Sequence, residues 1–291
     1  MKKKNQIIGF LLLLPLLSLI AIFLVYPFIS VIRTSFFATQ FGFGEMEYSG
    51  LKNFSSLFKD EVFRTSVKNS LIWTVGSLAL QLIIPLGLAL LLNKEFKGGA
   101  LIKTVILIPW ITPVVGVSMM TRWILEPQLG LANKILLTSG FVQQPINFLG
   151  SLSRALPTLL VISSWQFIPF GTLLLLAALQ TIPVHVYDAI KVDGANSWQT
   201  FRYLILPMIG SMLGFVFFLA FVWNFNTFSL IWITTKGGPV NSTMTLPVLI
   251  YRRAFKAFNM GEAAAIATMI GLFLVIMGFV FFKYLWRKAD Y

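Results

Sequence analysis

The sequence predicts an all-α membrane protein that crosses the bilayer with six helices. Of its 291 residues, 57% are hydrophobic and only 11% are charged, whereas a water-soluble domain carries about a quarter charged residues. A soluble fold of this size cannot bury so much apolar surface, so lipid must form part of its solvent. The chain contains no cysteine, which excludes a disulfide-stabilised scaffold.

The six helices are predicted from stretches that lack Asp, Glu, Lys and Arg. Crossing about 30 Å of hydrocarbon takes about 20 helical residues, and the charge-free stretches that approach or exceed this length cover residues 7–32, 69–93, 104–121, 155–187, 203–235 and 263–282. They predict one transmembrane domain over residues 1–291, with spans at about 7–32, 69–93, 104–121, 155–182, 204–234 and 263–285.

Span 1, span 3 and one charge-free loop are predicted from additional features of the sequence. Lys2, Lys3 and Lys4 precede span 1 as in a secretory signal, but the apolar run is about twice the length of a signal core and no cleavage pattern follows it. Span 3 is short and contains Pro109 and Pro113, which predict a kinked helix with Lys103 and Arg122 as interfacial anchors. Residues 135–153 are charge-free but rich in Ser, Gln, Asn, Gly and Pro, so we predict a loop there.

The charges predict the orientation. Lys and Arg crowd the termini and the short loops after spans 2 and 4, while the other loops are longer and also acidic. The short, basic side is therefore predicted to be cytoplasmic. The chain is then a cell-membrane protein with both termini in the cytoplasm. The net charge of +13 is then explained by lipid headgroups, and no nucleic-acid partner is expected.

Several kinds of chemistry are missing from the sequence. No span contains an ionisable residue in its interior, which disfavours coupling to protons or sodium, because such transporters keep an ionisable residue or a broken helix at mid-membrane. The chain has no G-x-x-x-x-G-K-[ST] phosphate loop. His185, the single histidine, has no ligand or catalytic partner at a suitable spacing. We therefore predict no enzyme, no metal and no cofactor in this chain.

Spans 4 and 5 carry polar but uncharged side chains. Residues 163–166 of span 4, just before Pro169, read Ser-Ser-Trp-Gln, and residues 223–227 of span 5 read Trp-Asn-Phe-Asn-Thr. These side chains fit two interpretations. They form hydrogen bonds between helices, or they line a cavity where amides and hydroxyls bind a neutral, hydroxyl-rich solute against aromatic faces.

The loop between spans 4 and 5, residues 183–203, predicts two short helices. Pro183 suits a first helical turn, Asp193-Gly194 is a turn signal, and Asn196 with Gln199 resembles a capping box. Such a pair fits either an interfacial element that stabilises the bundle or a docking element for a cytoplasmic partner.

This loop resembles a known family. Asp188-Ala189-Ile190, Gly194 and Leu204-Ile205-Leu206-Pro207 are similar to the EAA loop of ABC-importer permeases, whose pattern is E-A-A, three residues, G, nine residues and I-x-L-P. Asp188 replaces the usual Glu, Ile190 the second Ala, and Leu204 the Ile. The chain further resembles the MalF-type subunit of carbohydrate importers at residues 50–54, 107–110, 235–239, 251–255 and 261–264.

The resemblance implies a fold and a set of partners. The fold is that of a type I ABC importer permease, with a cytoplasmic coupling helix pair between helices 4 and 5. The partners are a second, MalG-like permease, two ABC ATPase subunits that bind ATP and Mg, an extracellular or periplasmic solute-binding protein, and a sugar or oligosaccharide as the transported solute.

The resemblance also implies roles for individual residues. The family's sugar site maps onto Ser163, Gln166, Phe167, Phe170, Trp223, Asn224 and Thr227. Its ATPase-coupling positions map onto Asp188, Ala189, Ile190, Gly194, Leu206 and Pro207.

Three alternatives remain at this point. The permease carries another polar solute such as glycerol phosphate or a polyol, although an anion favours a basic residue and the matched helix positions have none. The chain is an ion-coupled secondary transporter that works alone. The chain is a structural subunit without a solute pathway.

Overall fold

The computed structural model describes residues 2–38, 47–94 and 97–289, which are mostly helical. The side chains of Lys2, Lys3, Lys4, Arg287 and Lys288, which enter the predicted orientation, lie outside the described part. The chain folds into two compact units, one of residues 1–63 and 249–273 and the other of residues 64–248 and 274–291.

The helices and strands occur along the chain in the following order. The first part contains α1 (Lys2–Ile20), a π-helical stretch (Ala21–Val25), α2 (Tyr26–Thr34), β1 (Phe37–Ala38), β2 (Glu47–Tyr48), α3 (Lys52–Lys59) and α4 (Glu61–Leu92). The middle part contains α5 (Gly99–Val105), α6 (Ile108–Ile111), α7 (Val114–Ile124), α8 (Leu131–Thr138), α9 (Ala155–Gln180), α10 (Val184–Val192) and α11 (Ser197–Gln199). The last part contains a second π-helical stretch (Thr200–Ile205), α12 (Leu206–Met208), α13 (Gly210–Phe225), α14 (Ser229–Thr234), α15 (Leu246–Phe255) and α16 (Met260–Ala289).

Buried Asn53 organises the first unit. Its Nδ2 donates to the carbonyls of Ser35, at 2.8 Å, and Phe37, at 3.0 Å, so α3 is held against the end of α2 and against β1, which pairs antiparallel with β2. A Cβ on Gly261 would lie 2.3 Å from the Phe37 carbonyl oxygen and 2.9 Å from Asn53 Nδ2. Two segments that carry the family resemblance, 50–54 and 261–264, therefore meet at this point.

An ion-pair cluster adds to the first unit. Arg253 of α15 pairs with Asp60, which precedes α4, and its Nε lies 3.5 Å from Glu262 Oε2 in the first turn of α16. Asp60 also accepts from the Val62 backbone N–H at 2.8 Å. These charges join three helix ends outside the apolar stretches.

The second unit is a helical bundle. Helix α7 packs against α14, and α9 packs against α6, α13 and α14. A Cβ on Gly171 of α9 would lie 3.2 Å from Pro85 of α4, so α4 and α9 also approach closely. Asn69 Nδ2 of α4 donates to the Asn241 and Met244 carbonyls at 2.9 and 3.1 Å, which holds the loop before α15.

Five helical segments are long and apolar enough to cross a membrane, within the described part of the chain. They are Leu11–Thr34, Glu61–Leu92, Ala155–Gln180, Gly210–Thr234 and Met260–Lys283. They correspond to predicted spans 1, 2, 4, 5 and 6. A sixth segment is the pair Gly99–Ile111 and Val114–Ile124, which is bent by 89°.

The bend shows that the prediction of one kinked helix over 104–121 was too simple. Thr112 is extended, with φ −69° and ψ 125°, because a residue before proline is driven out of the helical region. The helix ends at Ile111 and restarts after Pro113.

The prediction of a loop over residues 135–153 was partly wrong. Residues up to Thr138 belong to α8, which is fixed by buried Asn133. The Asn133 Nδ2 donates to the Pro127 and Ile146 carbonyls, and its Oδ1 accepts from the Ile146 N–H at 2.8 Å. Composition alone missed the helix because its anchor lies outside the charge-free stretch.

Candidate functional site

The second unit contains a partly open cavity of about 430 Å³ between its helices. Its walls come from α4, α6, α7, α9, α13 and α14. They are formed by Gln81, Trp110, Val114, Ser163, Gln166, Phe167, Val222, Trp223, Asn226, Thr227, Phe228, Ser229 and Leu230. None of these residues is ionisable, so the described wall offers aromatic faces, amides and hydroxyls.

One break in a helix borders the cavity between Trp110 and Val114. At this break Gln166 of α9 donates from Nε2 to the Thr112 carbonyl at 2.9 Å. The amide of Gln166 therefore satisfies a carbonyl that the interrupted helix leaves exposed. Its Oε1 has no partner among the described residues and is available at the wall.

A second break lies between α13 and α14, at residues 226–228. Asn226 Nδ2 donates to the Val222 carbonyl at 2.8 Å, and Thr227 Oγ1 donates to the Trp223 carbonyl at 3.1 Å. Irregular backbone at membrane depth is tolerated where it lines a cavity, and these side chains stabilise it. The absence of ionisable residues from the spans was taken to disfavour coupling to protons or sodium, but ion-coupled transporters also use broken helices. The two breaks show that the spans of this chain are interrupted.

Aromatic rings form a connected wall. The Trp110 and Phe170 rings stack with centroids 5.3 Å apart and planes 19° apart. Phe167 meets Phe170 and Trp223 edge to face, at 5.7 and 6.2 Å. Trp223 is 60% exposed, so one indole offers a broad surface for stacking.

A pair of amides connects α4 to α13 at the edge of the cavity. Asn224 Nδ2 donates to Gln81 Oε1 at 2.6 Å, and Gln81 Nε2 donates to Asn224 Oδ1 at 3.3 Å. Asn224 Nδ2 also donates to the Ala220 carbonyl at 2.7 Å, which fixes the orientation of both amides because a carbonyl can only accept. Gln81 borders the cavity, while Asn224 lies behind it.

The structure brings most of the sequence-predicted solute residues together. Ser163, Gln166, Phe167, Trp223 and Thr227 line the cavity. Phe170 and Asn224 do not line it; each contacts a lining residue, Trp110 and Gln81 respectively.

Five lining polar or aromatic residues were absent from the predicted solute site: Gln81, Trp110, Asn226, Phe228 and Ser229. Gln81 had a signal, because an amide inside an otherwise apolar span is a site hypothesis in a membrane protein. The other four residues lie beside the two helix breaks, which their residue types alone do not predict.

The predicted coupling loop forms the expected short helices. Helix α10 ends at Val192, Gly194 takes a left-handed φ of 78°, and a new helix starts at Ser197. The capping box is present: the Asn196 N–H donates to Gln199 Oε1 at 2.8 Å, and the Gln199 N–H donates to Asn196 Oδ1 at 2.9 Å. The second helix then continues through the π-helical stretch to Leu206 and Pro207.

The loop exposes an apolar face. Val184, Val192, Trp198 and Tyr203 are all exposed, Val192 by 87%. Asp188, Ala189 and Gly194 are exposed as well, and Asp188 forms a 3.8 Å ion pair with Lys191. Burial raises the pKa of the Tyr187 phenol in this loop above its ordinary value of 10.0, so this side chain is neutral at physiological pH.

The described residues contain no group of three or more His, Cys, Asp or Glu side chains placed to hold a metal ion. The chemistry of the cavity is hydrogen bonding and stacking.

Apolar helices that are interrupted around an uncharged polar cavity are typical of membrane proteins that hold a solute within the bilayer. Residues 82–291 match the family of binding-protein-dependent transport system inner membrane components, and the chain belongs to this family. It is a permease subunit of an ATP-binding-cassette importer.

Two relatives and one solved structure illustrate the likeness. The trehalose/maltose transport system permease protein MalF of Thermococcus litoralis is 29% identical over 96% of this chain and 93% of its own length. The sn-glycerol-3-phosphate transport system permease protein UgpA of Yersinia pestis is 31% identical over 97% of this chain and 95% of its own. A chain of a bacterial ABC transporter for the acidic polysaccharide alginate superposes with a TM-score of 0.84 at 23% identity, over 98% of this chain and 96% of that one.

Proposed function

We propose that this permease carries a neutral carbohydrate, either a sugar or an oligosaccharide. The observation that carries the proposal is the cavity wall. Its exposed indole and its stacked rings suit the apolar CH faces of a sugar ring, and its amides and hydroxyls suit sugar hydroxyls. Ser163, Gln166, Phe167, Trp223 and Thr227 contact the solute directly, and Phe170 and Asn224 support them from behind.

Glycerol phosphate is the second candidate, because a relative named for its transport is 31% identical. A phosphate is usually bound by Arg, Lys or a cluster of backbone N–H groups. The described cavity wall contains no cation. The neutral solute is therefore the better fit to this chain's own residues.

The remaining parts of the importer are assigned to partner chains. A second permease completes the pathway, and an extracellular or periplasmic solute-binding protein delivers the solute. Two ATPase subunits bind ATP and Mg and dock on the coupling loop through Asp188, Ala189, Ile190, Gly194, Leu206 and Pro207. The exposed apolar face of that loop supports this assignment, because unpaired apolar patches mark interaction sites. The loop and both termini then lie on the cytoplasmic side of the membrane, as the crowded Lys and Arg residues favour.

Solute class is tested by uptake into ATP-loaded proteoliposomes that contain the full complex and its cognate binding protein. We expect labelled maltose or trehalose to accumulate and an excess of unlabelled neutral sugar to compete. Accumulation of sn-glycerol 3-phosphate that no neutral sugar reduces would contradict the carbohydrate assignment.

A further inference from the structure

The amide pair between Gln81 and Asn224 is the least exposed polar group at the cavity. Gln81 is 1% exposed and Asn224 is 2% exposed. Polar groups buried at this depth need hydrogen-bond partners, since an unsatisfied donor in a low-dielectric interior is costly. The number of bonds that each amide makes therefore matters.

The two amides are not equally satisfied. Asn224 Nδ2 uses both hydrogens, in the 2.6 Å bond to Gln81 Oε1 and the 2.7 Å bond to the Ala220 carbonyl. Gln81 Nε2 has two hydrogens but makes one bond, at 3.3 Å, longer than the usual 2.7–3.2 Å range for N–H···O. Among the described residues Gln81 Nε2 has no other acceptor. The weakly satisfied donor belongs to the residue that borders the cavity.

We infer that Gln81 is a solute-binding residue and that Asn224 is a positioning residue that acts through it. The inference rests on the proposed function and refines its site. Because Gln81 is 1% exposed, its amide edge turns toward the cavity when solute binds. A hydroxyl oxygen of the neutral solute then accepts from Gln81 Nε2, replacing the long bond to Asn224 Oδ1. Asn224 keeps its bond to Gln81 Oε1, and because the Ala220 carbonyl fixes Asn224, this bond limits the orientations that the Nε2 edge of Gln81 can take.

This arrangement differs from the one that the family resemblance implies. The resemblance places Asn224 among the solute contacts, whereas Gln81, from a different helix, is the member of this buried pair that borders the cavity. The amide pair also bridges α4 and α13. Solute that occupies Gln81 weakens one of the two bonds across this bridge and thereby loosens the contact between these helices.

The test measures binding of labelled maltose to the full transporter complex in lipid nanodiscs. Gln81→Met removes the amide at nearly constant length and is expected to weaken binding by about three- to tenfold, the effect of one lost hydrogen bond. Ser77→Ala is the matched control, because Ser77 is a fully buried polar residue on the same helix that does not line the cavity. Unchanged binding in Gln81→Met, in a correctly assembled complex, would overturn the inference.

A second variant tests the donor itself. Gln81→Glu keeps the shape but has a donor only when the carboxyl is protonated. Maltose binding to this variant should therefore strengthen as the pH falls from about 8 to about 5 and the carboxyl takes up a proton, while the wild-type complex changes little. A pH profile parallel to that of the wild type would count against a donor role.

A double-mutant cycle tests the positioning role of Asn224. If Asn224 acts through Gln81, then Gln81→Met combined with Asn224→Ala binds maltose no more weakly than Gln81→Met alone. Effects that multiply would show that Asn224 acts separately. Wild-type complex that takes up sn-glycerol 3-phosphate but no neutral sugar would contradict the proposed function and this inference together. Normal maltose uptake with an inert Gln81 contradicts the inference alone.

Discussion

Close contacts at single residues decide where the segments of the first unit meet. Gly261 is such a residue, because the Phe37 carbonyl occupies the space that its side chain would need. Asn53 approaches from the other side and donates to the same carbonyl. The sequence shows a Gly at this position without showing why; the reason is a neighbour more than 200 residues away in the chain.

Gly261→Ala is therefore expected to destabilise the protein. The added Cβ would lie 2.3 Å from a backbone oxygen that is held by β-pairing and by Asn53, so relief requires a backbone shift. We expect a loss of about 1–3 kcal/mol and a lower midpoint of thermal unfolding in detergent. Gly87→Ala, where nothing lies within 4 Å of the new Cβ, is the control. Equal midpoints for the two variants would show that the contact at Gly261 is unimportant.

Part of the candidate site could be predicted from the sequence, one residue at a time. Polar or aromatic character inside an apolar span singled out Ser163, Gln166 and Trp223, and the family resemblance assigned them to the solute site; all three line the cavity. Gln81 has the same character but was missed, because it is a single amide in a span without other site residues. Which of Gln81 and Asn224 faces the cavity depends on the packing of α4 against α13, and this is not encoded in either local sequence.

At the scale of elements, apolar length predicted where helices occur but not where they break. The span over 155–182 corresponds to α9, whereas α4 begins at Glu61, well before the span predicted over 69–93. The spans over 104–121 and 204–234 contain interruptions at Thr112 and at residues 226–228. Proline gives a warning at the first break, whereas the second has no proline or glycine and depends on Asn226 and Thr227 bonding back to carbonyls of α13.

The loop over residues 183–203, proposed to couple to the ATPase subunits, supplies a prediction at this scale. Gly194→Pro is expected to uncouple ATP hydrolysis from transport, because proline fixes φ near −65°, while Gly194 requires 78° and its N–H donates to the Lys191 carbonyl at 3.0 Å. The measurement is sugar uptake per ATP hydrolysed by the reconstituted complex.

Gly140→Pro provides a matched control for the coupling loop. Gly140 has a φ of 73°, and its N–H donates to the Leu137 carbonyl at 3.2 Å, so the substitution imposes a similar backbone conflict outside this loop. Equal losses of coupling in both variants would mean that local misfolding, and not the coupling turn, causes the effect.

At the scale of the whole molecule, the charged residues lie away from the described cavity wall. The net charge of +13 comes from only 23 basic and 10 acidic residues, and none of them lines the described cavity wall. A cavity wall of aromatic rings, amides and hydroxyls suits a neutral solute. We expect the energy for transport to come from partner chains because the chain belongs to a binding-protein-dependent transport family.

The most direct test of this account compares sources of energy in one preparation. Proteoliposomes are prepared with this permease, its partner permease, its ATPase subunits and its binding protein. One sample is loaded with ATP, and another is energised only by a proton or sodium gradient. Uptake of labelled maltose is followed in both. The account predicts uptake that requires internal ATP and every partner chain. Uptake by this chain alone, driven by an ion gradient without ATP, would contradict it.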